Sequence, residues 1–385
     1  MAAQRYTWDI FCAVVDNYGD IGVCWRLAQQ LVAEHGLVVR LWVDDLAPFH
    51  KICPEIDLTA TAQSCRGVEV RHWRKPFPPV TPGEIPDVVV EAFACHLPEA
   101  YENAMAAREP KPVWINLEYL SAEAWVTGCH GLPSPHPRLP LTKHFFFPGF
   151  VPGTGGLLAE AGLAQRRDAF QQDPRALSVF WQSIGLVAPA DHELTVSLFS
   201  YHNLAVAELL EAWAKGEGAV RCLVPEGKVL KEVAGFFGRP EVRAGDVLRQ
   251  GSLEICVLPF LQQDRYDQLL WACKLNFVRG EDSLVRAQWA ARPLVWYIYP
   301  QDEGAHWAKL AAFLDLYCAD LAPVTAMGLR TFWQSWNRQE AVGQAWPGFW
   351  QHQAELETHA RRWAGQLASI GLLAKNLVHY CQQKL

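Results

Sequence analysis

Apolar positions along this chain follow two alternating rhythms: short continuous runs and longer stretches at helical spacing. Residues 8–15 form a nearly unbroken apolar run, rich in β-branched and aromatic side chains and of strand length. Such a run predicts a strand buried on both faces, in the middle of a parallel sheet. Asp16, Asn17, Tyr18, Gly19, Asp20, Ile21 and Gly22 follow with turn chemistry. Residues 23–34 then carry apolar side chains at helical spacing until Gly36 stops them. Further strands are predicted at 38–43, 68–73, 87–93, 113–118 and 143–147. The same rhythm restarts at a strand over 194–201 and an amphipathic helix over 204–213. Strands at 220–225, 253–258, 274–278 and 293–298 continue it.

Strands alternating with helices predict an α/β fold of two Rossmann-like, doubly wound domains facing across a cleft. The expected divisions are 1–175, 176–350 and a C-terminal helical segment, 351–385, crossing back to the first domain. The Gly/Pro-rich run 148–156 lacks a P-loop ending and reads as a mobile loop or the approach to a hinge.

Composition narrows the class. The chain has 385 residues, enough for two cores, and is 50% hydrophobic and 19% charged, the balance of a packed globular protein. A net charge of −7 without a Lys/Arg run disfavours nucleic acid as a partner. Apolar runs are too short to span a membrane and the N-terminus lacks a signal-peptide core, so a cytoplasmic protein is expected. Eleven cysteines, an odd number with no Cys-x-x-Cys pair, predict reduced thiols rather than a disulfide frame or zinc site.

Two loops carry candidate chemistry. Asp16 and Asp20 fall at the carboxyl end of the first strand, where open α/β sheets bind ligands. They can be caps accepting backbone N–H groups, or carboxylates for a hydroxyl-bearing or cationic group; a cap keeps a second oxygen free. This loop is no Gly-x-Gly-x-x-Gly site, and two carboxylates would repel a pyrophosphate. A nicotinamide dehydrogenase is correspondingly weak. Glu91 with His96, and Asn116 with Glu118 and Tyr119, end two further strands, either as solvated loop residues or as acceptor contacts.

In the second half, Arg279 offers a planar cation suited to phosphate, and Gly280 permits close approach. Asp282 or Ser283 can cap the following helix, whose free N–H groups favour an anion. Glu281 grips sugar hydroxyls or merely complements the helix dipole. Phe199, Tyr201, Phe260, Tyr297 and Tyr299 can stack on a base or fill the core, and Leu261, Gln262 and Gln263 can reach a base edge. Together these describe a nucleotide-sugar pocket. No Asp-x-Asp triplet occurs, so no metal is expected to hold the diphosphate.

The segments 8–27 and 277–283 resemble the bacterial protein-arginine rhamnosyltransferases acting on elongation factor P, the EarP family, and the similarity runs along the whole chain. The resemblance implies a GT-B fold and inverting transfer of L-rhamnose from TDP-β-L-rhamnose to an arginine of elongation factor P. That modification supports translation at proline stretches. By position, Asp20 resembles the general base, Asp16 its neighbouring essential carboxylate, and Glu281 an essential glutamate. Asn17, Tyr18, Gly19, Phe199, Tyr201, Phe260, residues 261–263 and residues 279–283 are the implied donor contacts. TDP-rhamnose is a co-substrate, no cofactor is expected, and neither nucleic acid nor membrane is a partner. Two alternatives stand beside this reading. One is another metal-independent GT-B transferase with a small-molecule or glycan acceptor. The other is a non-catalytic nucleotide-binding module.

Overall fold

In the computed structural model, which describes residues 6–16 and 18–385, the chain divides into two compact units. The first is Met1–Ala161 with Leu367–Leu385; the second is Gly162–Gln366. The division falls ahead of position 175, because the helices Leu163–Gln172 and Pro174–Ser183 pack with the second unit.

The first unit is built on an eight-stranded sheet. Its strands are β1 (Thr7–Cys12), β2 (Val38–Val43), β3 (Ala62–Cys65), β4 (Val68–His72), β5 (Val88–Ala92), β6 (Val113–Leu117), β7 (Pro133–Pro135) and β8 (Thr142–Phe146). They lie in the order β3-β4-β2-β1-β5-β6-β8-β7, parallel except for β3 and β7 at the edges. Counting parallel strands alone, this is the doubly wound order 3-2-1-4-5-6, which reverses direction between β1 and β5.

The second unit repeats the plan. Its strands are β9 (Leu194–Leu198), β10 (Val220–Pro225), β11 (Val247–Gln250), β12 (Leu253–Leu258), β13 (Leu275–Arg279) and β14 (Leu294–Tyr297), in the order β11-β12-β10-β9-β13-β14. Again only the edge strand β11 is antiparallel, and the reversal lies between β9 and β13. Every predicted strand is present. Three of the four edge strands were not predicted: β3, β7 and β11 are short and largely exposed or half-buried, so no apolar run marks them.

Residues 8–12 of β1 are buried throughout, yet one of them is Asp9. Its carboxylate accepts from Arg40 at 2.6 and 2.9 Å, Trp42 Nε1 at 3.0 Å and Tyr101 OH at 2.5 Å. Burial pushes this carboxyl up, and the Arg40 guanidinium pulls it back down. Around it, Phe11, Trp42, Trp73, Val89, Tyr101 and Trp114 form one face of the core.

The helix after β1 spans Gly19–His35 and ends at Gly36, whose left-handed φ of 65° lets its N–H reach the last-turn carbonyls. The Gly/Pro-rich run is not a free loop. Gly155 N donates to Phe147 O at 2.7 Å and Thr154 Oγ1 to Val151 O at 2.7 Å. The C-terminal segment seals it: Leu373 N donates to Leu157 O and Asn376 Nδ2 to Gly155 O, both at 3.0 Å. That segment is two helices, Gln353–Ile370 and Leu373–Gln382, and the second packs on the first unit. Among the described residues, no helix is long and apolar enough to cross a membrane, and all eleven cysteines are free thiols.

Candidate active site

Both sets of predicted residues fall at the points where their sheets reverse direction, at the carboxyl ends of the strands. There, loops from neighbouring strands diverge and leave a crevice that the scaffold itself does not fill.

In the first unit the helix starts at Gly19, earlier than its apolar spacing suggests, so Asp20 lies inside its first turn. Asp20 does not cap that helix. Its carboxylate turns back, and Oδ2 accepts the backbone N–H groups of Val15 and Asp16, each at 2.8 Å. Tyr119 OH approaches the other oxygen, Oδ1, at 3.5 Å. Asp20 is 2% exposed, and burial pushes its carboxyl above the ordinary range. The N–H groups of Asp16 and Val15 and the Tyr119 hydroxyl pull it down, while the charge of Asp44 pushes it up.

Asp16 is half-buried and holds the turn through its backbone, its carbonyl accepting Gly19 N at 2.6 Å. A side chain at Gly19 would place Cβ 2.8 Å from Asp16 Oδ2. A side chain there would push that carboxylate aside. Tyr18 is the N-cap residue, and Asn17 lies outside the described residues.

The neighbouring strand ends are less solvated than expected. Glu91 is 1% exposed, salt-bridged to Lys143 Nζ at 3.0 Å, and accepts His96 N at 3.1 Å. The His96 ring points outward, so this pair braces the loop. Asn116 is buried and donates to Glu118. Asn116 Oδ1 has no hydrogen-bond partner among the described residues. Phe93 stacks on Tyr119 at 4.6 Å and 21°.

In the second unit β13 delivers Arg279, 5% exposed, between two aromatic rings from the end of β9. Its guanidinium carbon lies 4.6 Å from the Phe199 ring centre and 4.3 Å from that of Tyr201. Nη1 is buried without a partner among the described residues. A desolvated cation with an unused N–H invites an anion. Gly280 takes a φ of 61° and its carbonyl accepts Trp296 Nε1 at 2.9 Å. Glu281, not Asp282 or Ser283, occupies the N-cap position of the helix Asp282–Trp289. Ser283 instead closes the loop: its Oγ accepts Arg279 N at 3.1 Å and donates to Arg279 O.

The β12 loop joins this cluster. Gln263 Nε2 reaches Asp282 Oδ2 at 3.5 Å, and Phe199 meets Tyr266 edge-on at 5.6 Å. Gln262 is exposed at the N-cap of the helix Gln263–Ala272, and Phe260 is half-buried. The Leu261 side chain packs against the core cluster that holds Phe180 and Trp181. Tyr299 and Tyr297 flank Tyr201 at 5.4 and 5.9 Å. Lys228, whose Nζ lies 5.9 Å from the Tyr201 ring, had no signal in sequence. Among the described residues no cluster of three His, Cys, Asp or Glu side chains is arranged to hold a metal ion.

Two Rossmann-like units in succession are the fold of the GT-B glycosyltransferases. The calicheamicin glycosyltransferase CalG4 shares this fold over 99% of both chains, with a TM-score of 0.52 at 13% identity. The family is narrower. The model of the elongation factor P (EF-P) rhamnosyltransferase EarP matches residues 8–382, and the chain belongs to that family. A protein-arginine rhamnosyltransferase of Pseudomonas putida is 52% identical over 99% of this chain and all of its own length. A solved structure described as the structural basis for EarP-mediated arginine glycosylation of translation elongation factor EF-P is 38% identical. It covers 99% of this chain and 100% of its own, with a TM-score of 0.71.

Proposed function

We propose that this enzyme transfers L-rhamnose from TDP-β-L-rhamnose to an arginine side chain of elongation factor P, with inversion at the sugar carbon. The observation that carries the reading is Asp20: a buried carboxylate with one oxygen tied to backbone N–H groups, leaving the other for a proton. A guanidinium is protonated in water, with a pKa above about 12, and is a poor nucleophile. Asp16 and Asp20 bind it as a cation and orient one nitrogen. As the N–C1 bond forms, that nitrogen's proton passes to Asp20, and the C1–O bond to TDP breaks with its electron pair leaving on the diphosphate. Burial makes Asp20 a stronger base than a solvated carboxylate. Inversion requires the nitrogen to attack opposite the departing diphosphate, as the water does in inverting glycosidases.

The donor falls to the second unit. Arg279 and the N-terminus of the helix Asp282–Trp289 hold the diphosphate without a metal, and Glu281 holds sugar hydroxyls. Phe199, Tyr201 and Phe260 pack on the base and sugar, with residues 261–263 at the base edge.

Intact-mass spectrometry of elongation factor P after incubation with the enzyme and TDP-rhamnose tests this directly. The expected result is one deoxyhexose on arginine, absent with Asp20→Asn. No increment, with TDP-sugar still raising the Tm, moves the search to another acceptor. No increment and no stabilisation removes the nucleotide-sugar reading.

A further inference from the structure

The loop that follows β5 is strained, and its strain has a target. Phe93, Ala94 and His96 all take φ values near +55° (56°, 52° and 55°), in the left-handed region that non-glycine residues avoid. Such residues persist only where the surrounding structure over-determines them. Here the determinants are visible. Phe93 N donates to Leu117 O at 2.7 Å, and His96 N to the buried Glu91, itself held by Lys143. What the conformation achieves is to lay the Phe93 ring flat beneath Tyr119. Tyr119 in turn points its hydroxyl at Oδ1 of Asp20, the oxygen that, among the described residues, no backbone N–H occupies.

We infer that Tyr119, braced by Phe93, is a positioning residue for Asp20: it fixes the rotation of the carboxylate and holds Oδ1 as the oxygen that meets the acceptor. The inference rests on Asp20 serving as the base. Carboxylate rotation matters because Oδ2 is already committed; a partial turn about the Cβ–Cγ bond would break its two backbone hydrogen bonds and swing the other oxygen away from the acceptor. The phenol also supplies a donor while no guanidinium is bound, so that a buried charge is not left half-satisfied. The groups facing Asp20 from the packed elements are the backbone of Val15 and Asp16, Tyr119 from the end of β6, Asp44 from the end of β2 and Cys12 of β1. Among these side chains Tyr119 is the hydrogen-bond donor, while Asp44 raises the proton affinity of Asp20.

The test compares Tyr119→Phe, which keeps the stacked ring and loses the hydroxyl, with Phe93→Gly, which relieves the strain and loses the brace. Both are expected to lower kcat roughly tenfold with donor KM unchanged, the size of one hydrogen bond to a charged group. Tyr119→Phe should also move the acid limb of the kcat/KM profile upward by roughly half a pH unit, because a donor to the charged form is gone. A merely structural tyrosine would lower Tm without moving that limb. Wild-type kcat and an unmoved limb in a folded Tyr119→Phe enzyme would overturn the inference, while Asp20→Asn, inactive in the same assay, would keep the base in place. Activity in Asp20→Asn would remove the base and with it the premise.

Discussion

The two units share one core strand order and place different side chains at the same topological position. Where the first sheet reverses direction, the loops present carboxylates, with Asp20 buried and Asp16 beside it. Where the second reverses, they present Arg279, held between Phe199 and Tyr201. Parallel strands and helix N-termini create a crevice at that position in either case. Which ligand it takes is decided by few side chains. In the first unit the Asp20 carboxylate occupies the backbone N–H groups of Val15 and Asp16, which would otherwise be open to an anion. In the second, a buried guanidinium adds to the positive helix end.

The contrast is broken most severely by Asp20→Asn. Turnover should fall by about 10²–10⁴-fold, the usual contribution of a general base, with donor affinity retained in a calorimetric titration. Equal losses of both would mean that the carboxylate builds the fold rather than the chemistry. Arg279→Ala is the mirror experiment. It should weaken TDP binding roughly 10–100-fold, the worth of a charge-assisted hydrogen bond, and Arg279→Lys should not restore it, because a compact ammonium lacks the planar fork between the two rings. Unchanged TDP affinity would leave Arg279 as core packing.

Gly19→Ala sharpens the first site alone. The added methyl must displace the Asp16 carboxylate, so kcat should drop about tenfold while TDP affinity stays. Wild-type turnover would show that the position of Asp16 is not critical. The smallest effect on activity lies outside both loops, at His359 on the helix Gln353–Ile370, where burial, then the charge of Arg362, push the imidazole down to about 4. The unfolded chain takes up that proton near 6.5 and the folded chain only near 4, so the unfolded state binds more protons between them. Stability present at pH 7 is therefore lost as pH falls through this window, by on the order of 3 kcal/mol. A Tm series against pH should fall more steeply for wild type than for His359→Gln; parallel curves would exclude His359 as the cause.

Most parallel strands were legible because they are buried on both faces and must be written in apolar residues; β9, β10, β12 and β13 are near-continuous runs. Edge strands β3 and β11 are recruited by backbone hydrogen bonds to β4 and β12, which any sequence can make, and so left no trace. The site loops were legible as positions, because strand, turn and helix signals bracket them. The caps within them were not. A carboxylate in a first turn can serve its own helix or fold back, and the choice at Asp20 follows from where Val15 and Asp16 point their N–H groups.

By itself, then, the sequence determined two doubly wound units, the strand ends that carry their candidate loops, and that an arginine stands in one of those loops while the other offers carboxylates. These follow from local periodicity and residue type, which do not depend on what lies across the fold. Only the tertiary structure decided which oxygen of Asp20 is committed, that Phe93 and Tyr119 stand behind it, and that Arg279 keeps a buried N–H unused. The reach of Tyr119 to Asp20 and the seat of Arg279 between Phe199 and Tyr201 join residues far apart in the chain, set by strand register and by backbone angles such as the positive φ of Phe93. No run of residue types announces such an angle, because its cost is met by neighbours that the chain reaches only once it is folded.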